Sequence, residues 1–172
     1  KWFQQVPATA AQYPDAQEAA GQAYWSAWLE AACLDEASRP AAAELDAWQA
    51  SARSHLSTAI DQLSKQVPEG GQPSPGLIAA KVSLSQILIS QGEYQAAIEL
   101  LTQDPHSPSK AIQVEEGKAR PRVGVTSRDF ASLTYQQLLR AYVGVQQIDP
   151  ALQVMQKLEE LGGGDDGGVM QI

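Results

Sequence analysis

The stretch that most constrains the fold of this chain is 74–105, which has the pattern of two helices joined by a glycine turn. Ser74 is a preferred helix N-cap, and Pro75 suits the first helical position. Apolar residues then recur at helical spacing. Gly92 predicts the turn because a residue without a Cβ easily adopts a left-handed conformation. A second helical run follows, and Pro105 predicts its end because the proline ring cannot continue a helix.

A second copy of this pattern lies 54 positions further along the chain. The first set is Leu84, Leu88, Gly92, Tyr94, Ala97, Ile98 and Leu101, and the second is Leu138, Tyr142, Gln146, Ile148, Ala151, Leu152 and Met155. Both sets resemble the helix–turn–helix signature of a tetratricopeptide repeat, in which a small residue such as Ala97 lets the two helices approach closely. The second set departs from the family at Gln146, where glycine is preferred. Since the family unit is about 34 residues long, about 20 residues are inserted between the copies.

Composition and the resemblance together predict an all-α fold. Ala, Gln, Leu and Glu are abundant, which favours helix over strand. The resemblance implies a right-handed array of antiparallel helical hairpins, a fragment of an α-solenoid. We expect one domain over 1–161, with Asp15 and Glu18 forming a capping box at the start of the first long helix. Its predicted parts are hairpins at about 15–66, 75–104 and 127–161, an inserted loop without helix at 105–126, and a flexible Gly/Asp tail at 162–172 that leads to a missing following segment.

The charge and apolar content exclude several classes of function. A net charge of −8 argues against a nucleic-acid coat and against bulk-charge binding to anionic membranes. No run of about 18 apolar residues is present, so no membrane span is predicted. The single cysteine rules out an internal disulfide.

No set of residues has a pattern typical of catalysis, so the sequence predicts that the chain is not an enzyme and has no cofactor. Cys33 and His55 could meet between the long helices, but we expect Cys33 to be a small buried residue and His55 to be solvated. His106 beside Asp104 reads as a charge partner at a helix end, because no second His or Cys has metal-ligand spacing. Asp165 and Asp166 do not form a calcium site, because they offer too few oxygen ligands. The aromatic set is expected to fill a core rather than bind a ligand: Trp25, Trp28 and Trp48.

The insertion reverses the sign of the charge. Five basic residues stand against two acidic ones before Asp129, a local excess of three: Lys110, Lys118, Arg120, Arg122 and Arg128 against Glu115 and Glu116. These side chains either neutralise acidic helices of the same molecule or receive an anion or an acidic partner. The apolar residues Ile112, Val114, Val123 and Val125 alternate with polar ones, which predicts an extended, packed segment.

The resemblance to tetratricopeptide repeats implies a protein–protein interaction scaffold that holds a partner peptide or helix in a concave groove. Family-type contact positions are Gln86, Ser90, Tyr135, Gln136 and Arg140, with Lys118, Arg120 and Arg122 from the insertion. The alternative is a small-ligand or anion-binding module with residues 110–128 as a lid. The Tyr13-Pro14-Asp15 corner before the first long helix, the insertion and the Gly/Asp tail are also similar to large repeat proteins of planctomycete-type bacteria, which implies export or a cell-envelope location. Apolar chain ends predict neighbouring repeats of a longer parent chain and weak self-association.

Overall fold

The computed structural model describes residues 5–103, 106–116 and 128–162, and within these ranges every regular element is an α-helix. The predicted all-α class is therefore confirmed for this part of the chain. The helices are α1 (Tyr13–Ala32), α2 (Ala42–Gln66), α3 (Pro75–Ser90), α4 (Tyr94–Thr102), α5 (Pro108–Glu116), α6 (Arg128–Gly144) and α7 (Ile148–Gly162). None of the helices in the described ranges has the length and apolar content that a bilayer crossing requires.

Contacts divide the chain into two compact units, Lys1–Ile87 and Leu88–Ile172, with the boundary inside α3. In the first unit α1 and α2 pack against each other. The buried positions of α2 are Ala52, Leu56, Ala59 and Leu63. These steps of four, three and four place all of them on one side of the helix. The amphipathic pattern therefore explains why α2 buries this side.

The start of α3 agrees with the sequence, whereas the start of α1 does not. The backbone N–H of Leu77 donates to Ser74 Oγ at 3.2 Å, which confirms the predicted cap. Helix α1 begins at Tyr13 without a side-chain cap, so the predicted capping box is wrong. Glu18 instead accepts a hydrogen bond from Gln22 Nε2. Burial, with a contribution from the nearby Asp15, raises the pKa of Glu18.

In the second unit α6 is the central helix, because it contacts α4, α5 and α7. Helix α5 corrects the expectation of a loop without helix or an extended segment over 105–126. Pro108 occupies its first position, and the buried Ser107 donates from Oγ to the Thr102 carbonyl at 3.3 Å. Ser107-Pro108 thus repeats the start signal of Ser74-Pro75. The rest of that segment, 117–127, and the tail from 163 onward lie outside the described residues.

The two helix–turn–helix copies have the same turn. Gly92 has φ 78° and Gln146 has φ 59°, so both residues are left-handed. In the first turn Gly92 N donates to Ile89 O at 3.1 Å and Glu93 N donates to Leu88 O at 2.8 Å. In the second, at the predicted shift of 54, Gln146 N donates to Val143 O at 3.0 Å and Gln147 N donates to Tyr142 O at 2.9 Å. The right-handed array and its family assignment stay predictions.

Candidate partner-binding surface

A row of exposed apolar side chains runs along α7. Ile148, Leu152 and Met155 are 62%, 51% and 43% exposed, and their spacing of four and three places them on one side of the helix. We call these three residues the α7 stripe. Val143, the last residue but one of α6, is 59% exposed. Large apolar groups scattered singly are normal on a protein surface, but an apolar row on one helix side typically marks a contact with another molecule.

The corresponding row on α4 is covered. Tyr94, Ile98 and Leu101 lie 54 positions before the α7 stripe, and Ile98 and Leu101 are only 5% and 0% exposed. Helix α6 contributes to this cover. A Cβ placed on Gly144 of α6 would lie 2.5 Å from Cγ of Tyr94, so the backbone of α6 lies directly on that ring. Two of these positions are thus buried on α4, where Tyr94 is half-buried, and all three are exposed on α7.

Carboxylates border the α7 stripe. Glu159 follows Met155 by four residues and continues the line of the stripe, while Asp149 and Glu160 lie along one edge by helical spacing. All three residues are exposed. Position 95 on α4, which corresponds to Asp149, is a neutral Gln. Glu99 on α4 in turn corresponds to the neutral Gln153, so the two copies differ in where their carboxylates lie along this edge.

The predicted contact residues fall in different environments. Gln136 and Arg140 are exposed on α6, and their spacing places them on the same side of that helix as Val143. Tyr135 is buried, with Lys157 Nζ 5.8 Å from its ring centroid, so its ring offers little surface to a partner.

The remaining predicted contacts lie before α4 or in the insertion. Ser90 is exposed at the end of α3. Gln86 is half-buried and accepts a 2.7 Å hydrogen bond from Trp25 Nε1. From the basic set of the insertion, Lys110 is exposed on α5. Lys118, Arg120 and Arg122 lie outside the described residues, and so their role stays a prediction.

The first unit contains a polar and aromatic cluster that the sequence did not reveal. His55 Nδ1 lies 2.6 Å from Gln17 Oε1, and the imidazole stacks on Tyr24 with 5.6 Å between ring centroids. Since a carbonyl oxygen can only accept, Nδ1 carries the proton of this hydrogen bond. Burial lowers the pKa of His55. His55 is therefore half-buried and held by two neighbours, whereas we expected only a solvated residue.

The other residues weighed for chemistry are placed as follows. Cys33 is exposed at the end of α1, contrary to the expectation that it is buried. Trp25 is buried and stacks on Trp28 at 4.8 Å between ring centroids, which is the core role predicted for it, while Trp28 and Trp48 are half-buried. His106 is described, but Asp104, its predicted charge partner, lies outside the described residues.

Lys81 is fully buried in α3, which sequence reasoning missed. The available signal was its position between Ala80 and Val82 in an apolar helix. No group of three or more His, Cys, Asp or Glu residues in the described ranges could hold a metal ion.

Comparison with known proteins adds no assignment. No protein-family model matches the chain, and searches of curated proteins and of solved structures gave no match. The resemblance to tetratricopeptide repeats consequently rests on the residues of this sequence alone.

Proposed function

We propose that this chain is a protein–protein interaction scaffold that binds a partner peptide or helix, as its resemblance to tetratricopeptide repeats implies. The observation that carries the proposal is the open α7 stripe, because the equivalent row on α4 is covered. Exposing such a row to water is unfavourable by about 25 cal/mol for each Å² of apolar surface. A partner that covers the stripe removes this penalty.

The exposed residues on α6 support the same function. Val143 supplies apolar surface beside the polar groups of Gln136 and Arg140. A typical interface has an apolar centre and a polar rim, with arginine enriched among the contacts. The exposed side of α6 offers both kinds of group. The family-type contact residues Gln136 and Arg140 therefore belong to the proposed binding surface.

Photo-crosslinking tests this function. A photoreactive residue at Leu152, introduced into the intact chain in its native cell extract, is expected to crosslink to one discrete protein. The matched control carries the same group at Leu34, which is also an exposed apolar residue but lies in the first unit. Equal, diffuse crosslinking from both positions would contradict the proposal, because it would show that the stripe is no more occupied than ordinary surface.

A further inference from the structure

The way in which this chain covers α4 shows what kind of element fits the α7 stripe. Along α4 the cover includes another helix, α6, and at Tyr94 that helix presents a glycine. A side chain at Gly144 would collide with the Tyr94 ring. A helix with a small residue opposite the first member of the row is thus a packing arrangement that this molecule already uses.

The α7 stripe offers the same arrangement to an incoming helix. Ile148 takes the place of Tyr94, and Leu152 and Met155 take the places of Ile98 and Leu101. The turns that precede the two rows have equivalent hydrogen bonds and a left-handed residue at the same position. Because Ile148 is smaller than Tyr94, either Gly or Ala fits opposite it.

The charge around the stripe defines the flanks of the incoming helix. Asp149, Glu159 and Glu160 are exposed along the edge and the end of the row. Complementary charges at the rim of an interface raise the association rate and reject partners of the same sign. Lysine or arginine at the flanks of the incoming helix meets these carboxylates.

From these observations we infer that the α7 stripe binds an amphipathic helix of a partner protein, with a small residue opposite Ile148 and basic residues at its flanks. A second copy of this chain fits poorly. If two α7 stripes paired, their three carboxylates would face carboxylates of the same kind, between chains that each carry a net charge of −8. The α6 helix of a second copy is already packed against its own α4.

This inference rests on the proposed function, and designed peptides test it separately. Three helical peptides of about 18 residues, long enough to form a helix, share one apolar row. The first has Ala at the start of the row and Lys at the flanks. The second replaces the Lys residues by Glu, and the third replaces the Ala by Trp. Titration of the intact chain gives the Kd of each. We expect the first peptide to bind at least about tenfold more tightly than either of the others.

Variants of the chain identify the site and the charges. Leu152→Gln with Met155→Gln is expected to abolish binding of the first peptide, and the control Leu34→Gln to leave it unchanged. Neutralising the rim with Asp149→Asn, Glu159→Gln and Glu160→Gln is expected to bring the Kd values of the Lys and Glu peptides within about twofold of each other. If the Lys and Glu peptides bound the unaltered chain with equal affinity, the inference of basic residues at the flanks of the partner helix would be wrong. If the Trp and Ala peptides bound with equal affinity, the inference of a small residue opposite Ile148 would be wrong.

Two further results separate this inference from the proposed function. If no peptide binds while Leu152 still crosslinks to a discrete protein, the helix chemistry is wrong and the scaffold function stands. If crosslinking fails as well, both are wrong. Sedimentation of the chain alone completes the test. A dimer that dissociates in the Leu152→Gln variant would show that a second copy occupies the stripe, which would overturn the inferred partner.

Discussion

Helices α4 and α7 hold the same position in two helix–turn–helix copies, yet one carries a covered apolar row and the other an open one. The turns before them have the same hydrogen bonds and a left-handed residue at the same position, Gly92 in one and Gln146 in the other. The spacing of the apolar residues is also the same. Helix α6 contacts both helices, but on α4 it lies against the apolar row itself, at Tyr94, whereas the row on α7 is exposed. An apolar row therefore shows where a helix can be covered, and the neighbouring element decides whether it is.

The largest expected effect comes from shortening one residue at equivalent places in the two rows. Leu101→Ala removes a fully buried side chain and should lower the free energy of unfolding by about 2–5 kcal/mol. Met155→Ala, at the same place on α7, should lower it by at most about 1 kcal/mol, because 43% of this residue is already exposed. Chemical denaturation monitored by circular dichroism measures both. Equal losses would show that the α7 stripe is buried in solution.

A smaller effect is expected where α6 approaches α4. Gly144→Ala places a Cβ 2.5 Å from Cγ of Tyr94, which is too close, and should destabilise the second unit by about 1–3 kcal/mol. Better helix propensity offsets up to about 1 kcal/mol of this. The control is Gly162→Ala at the end of α7, where a Cβ meets nothing within 4 Å. Identical melting temperatures for the two variants would contradict the close approach.

The turns should respond in opposite directions to exchange of their left-handed residues. Gly92→Ala puts a Cβ into a conformation that is unfavourable by about 1–2 kcal/mol for residues other than glycine. Gln146→Gly relieves the same strain and should raise stability by about 0.5 kcal/mol, because glycine also loses more chain entropy on folding. Thermal unfolding of both variants measures whether each substitution lowers or raises the melting temperature. Destabilisation by Gln146→Gly would mean that the glutamine side chain stabilises its turn.

The smallest effect is a dependence on pH, which should act on the first unit and leave the comparison between α4 and α7 unchanged. Burial lowers the pKa of His55, so the unfolded chain takes up a proton first as the pH falls past about 6.5. Stability from the neutral imidazole is therefore present above that pH. It is lost as the pH falls toward the lower pKa of the folded state.

Denaturant midpoints at about pH 7.5 and about pH 5.5 check this expectation. His55→Gln should show a smaller decrease on acidification than the unaltered chain. The difference between the Leu101→Ala and Met155→Ala variants should be the same at both pH values. If the His55→Gln variant lost as much stability as the unaltered chain, a different group would be responsible.

Local signals in the sequence predicted local structure. Ser74 and Pro75 gave the start of α3, and the shift of 54 gave the matching turn at Gln146, although the family prefers glycine there. Helix α5 was missed although Ser107-Pro108, at its start, has the same residue types as Ser74-Pro75 at the start of α3. The repeated pattern, the all-α class and the approximate helix bounds could thus be obtained from residue types alone.

The candidate site could be predicted only in part. Whether Ile148 is exposed and Leu101 is buried depends on which other helices pack against α7 and α4. Two rows with the same spacing do not predict these neighbours. The same reason applies to His55, whose environment is formed by Gln17 and Tyr24 on another helix. Gln136 and Arg140 were chosen by their positions in the tetratricopeptide-like pattern. Both are exposed, as a contact role requires.

Trp25 and Trp28, whose indoles stack in the first unit, belong to a set of tryptophans that makes the two units optically different. All four tryptophans of the chain have sequence positions within the first unit, at 2, 25, 28 and 48. Intrinsic tryptophan emission therefore follows the first unit alone, while the far-ultraviolet signal includes helices of both. If the two units unfold together, the two signals change over the same range of denaturant. If they unfold separately, the emission and the helix signal have different midpoints. The two intrinsic signals therefore test whether the chain unfolds in a single cooperative step, without an added label.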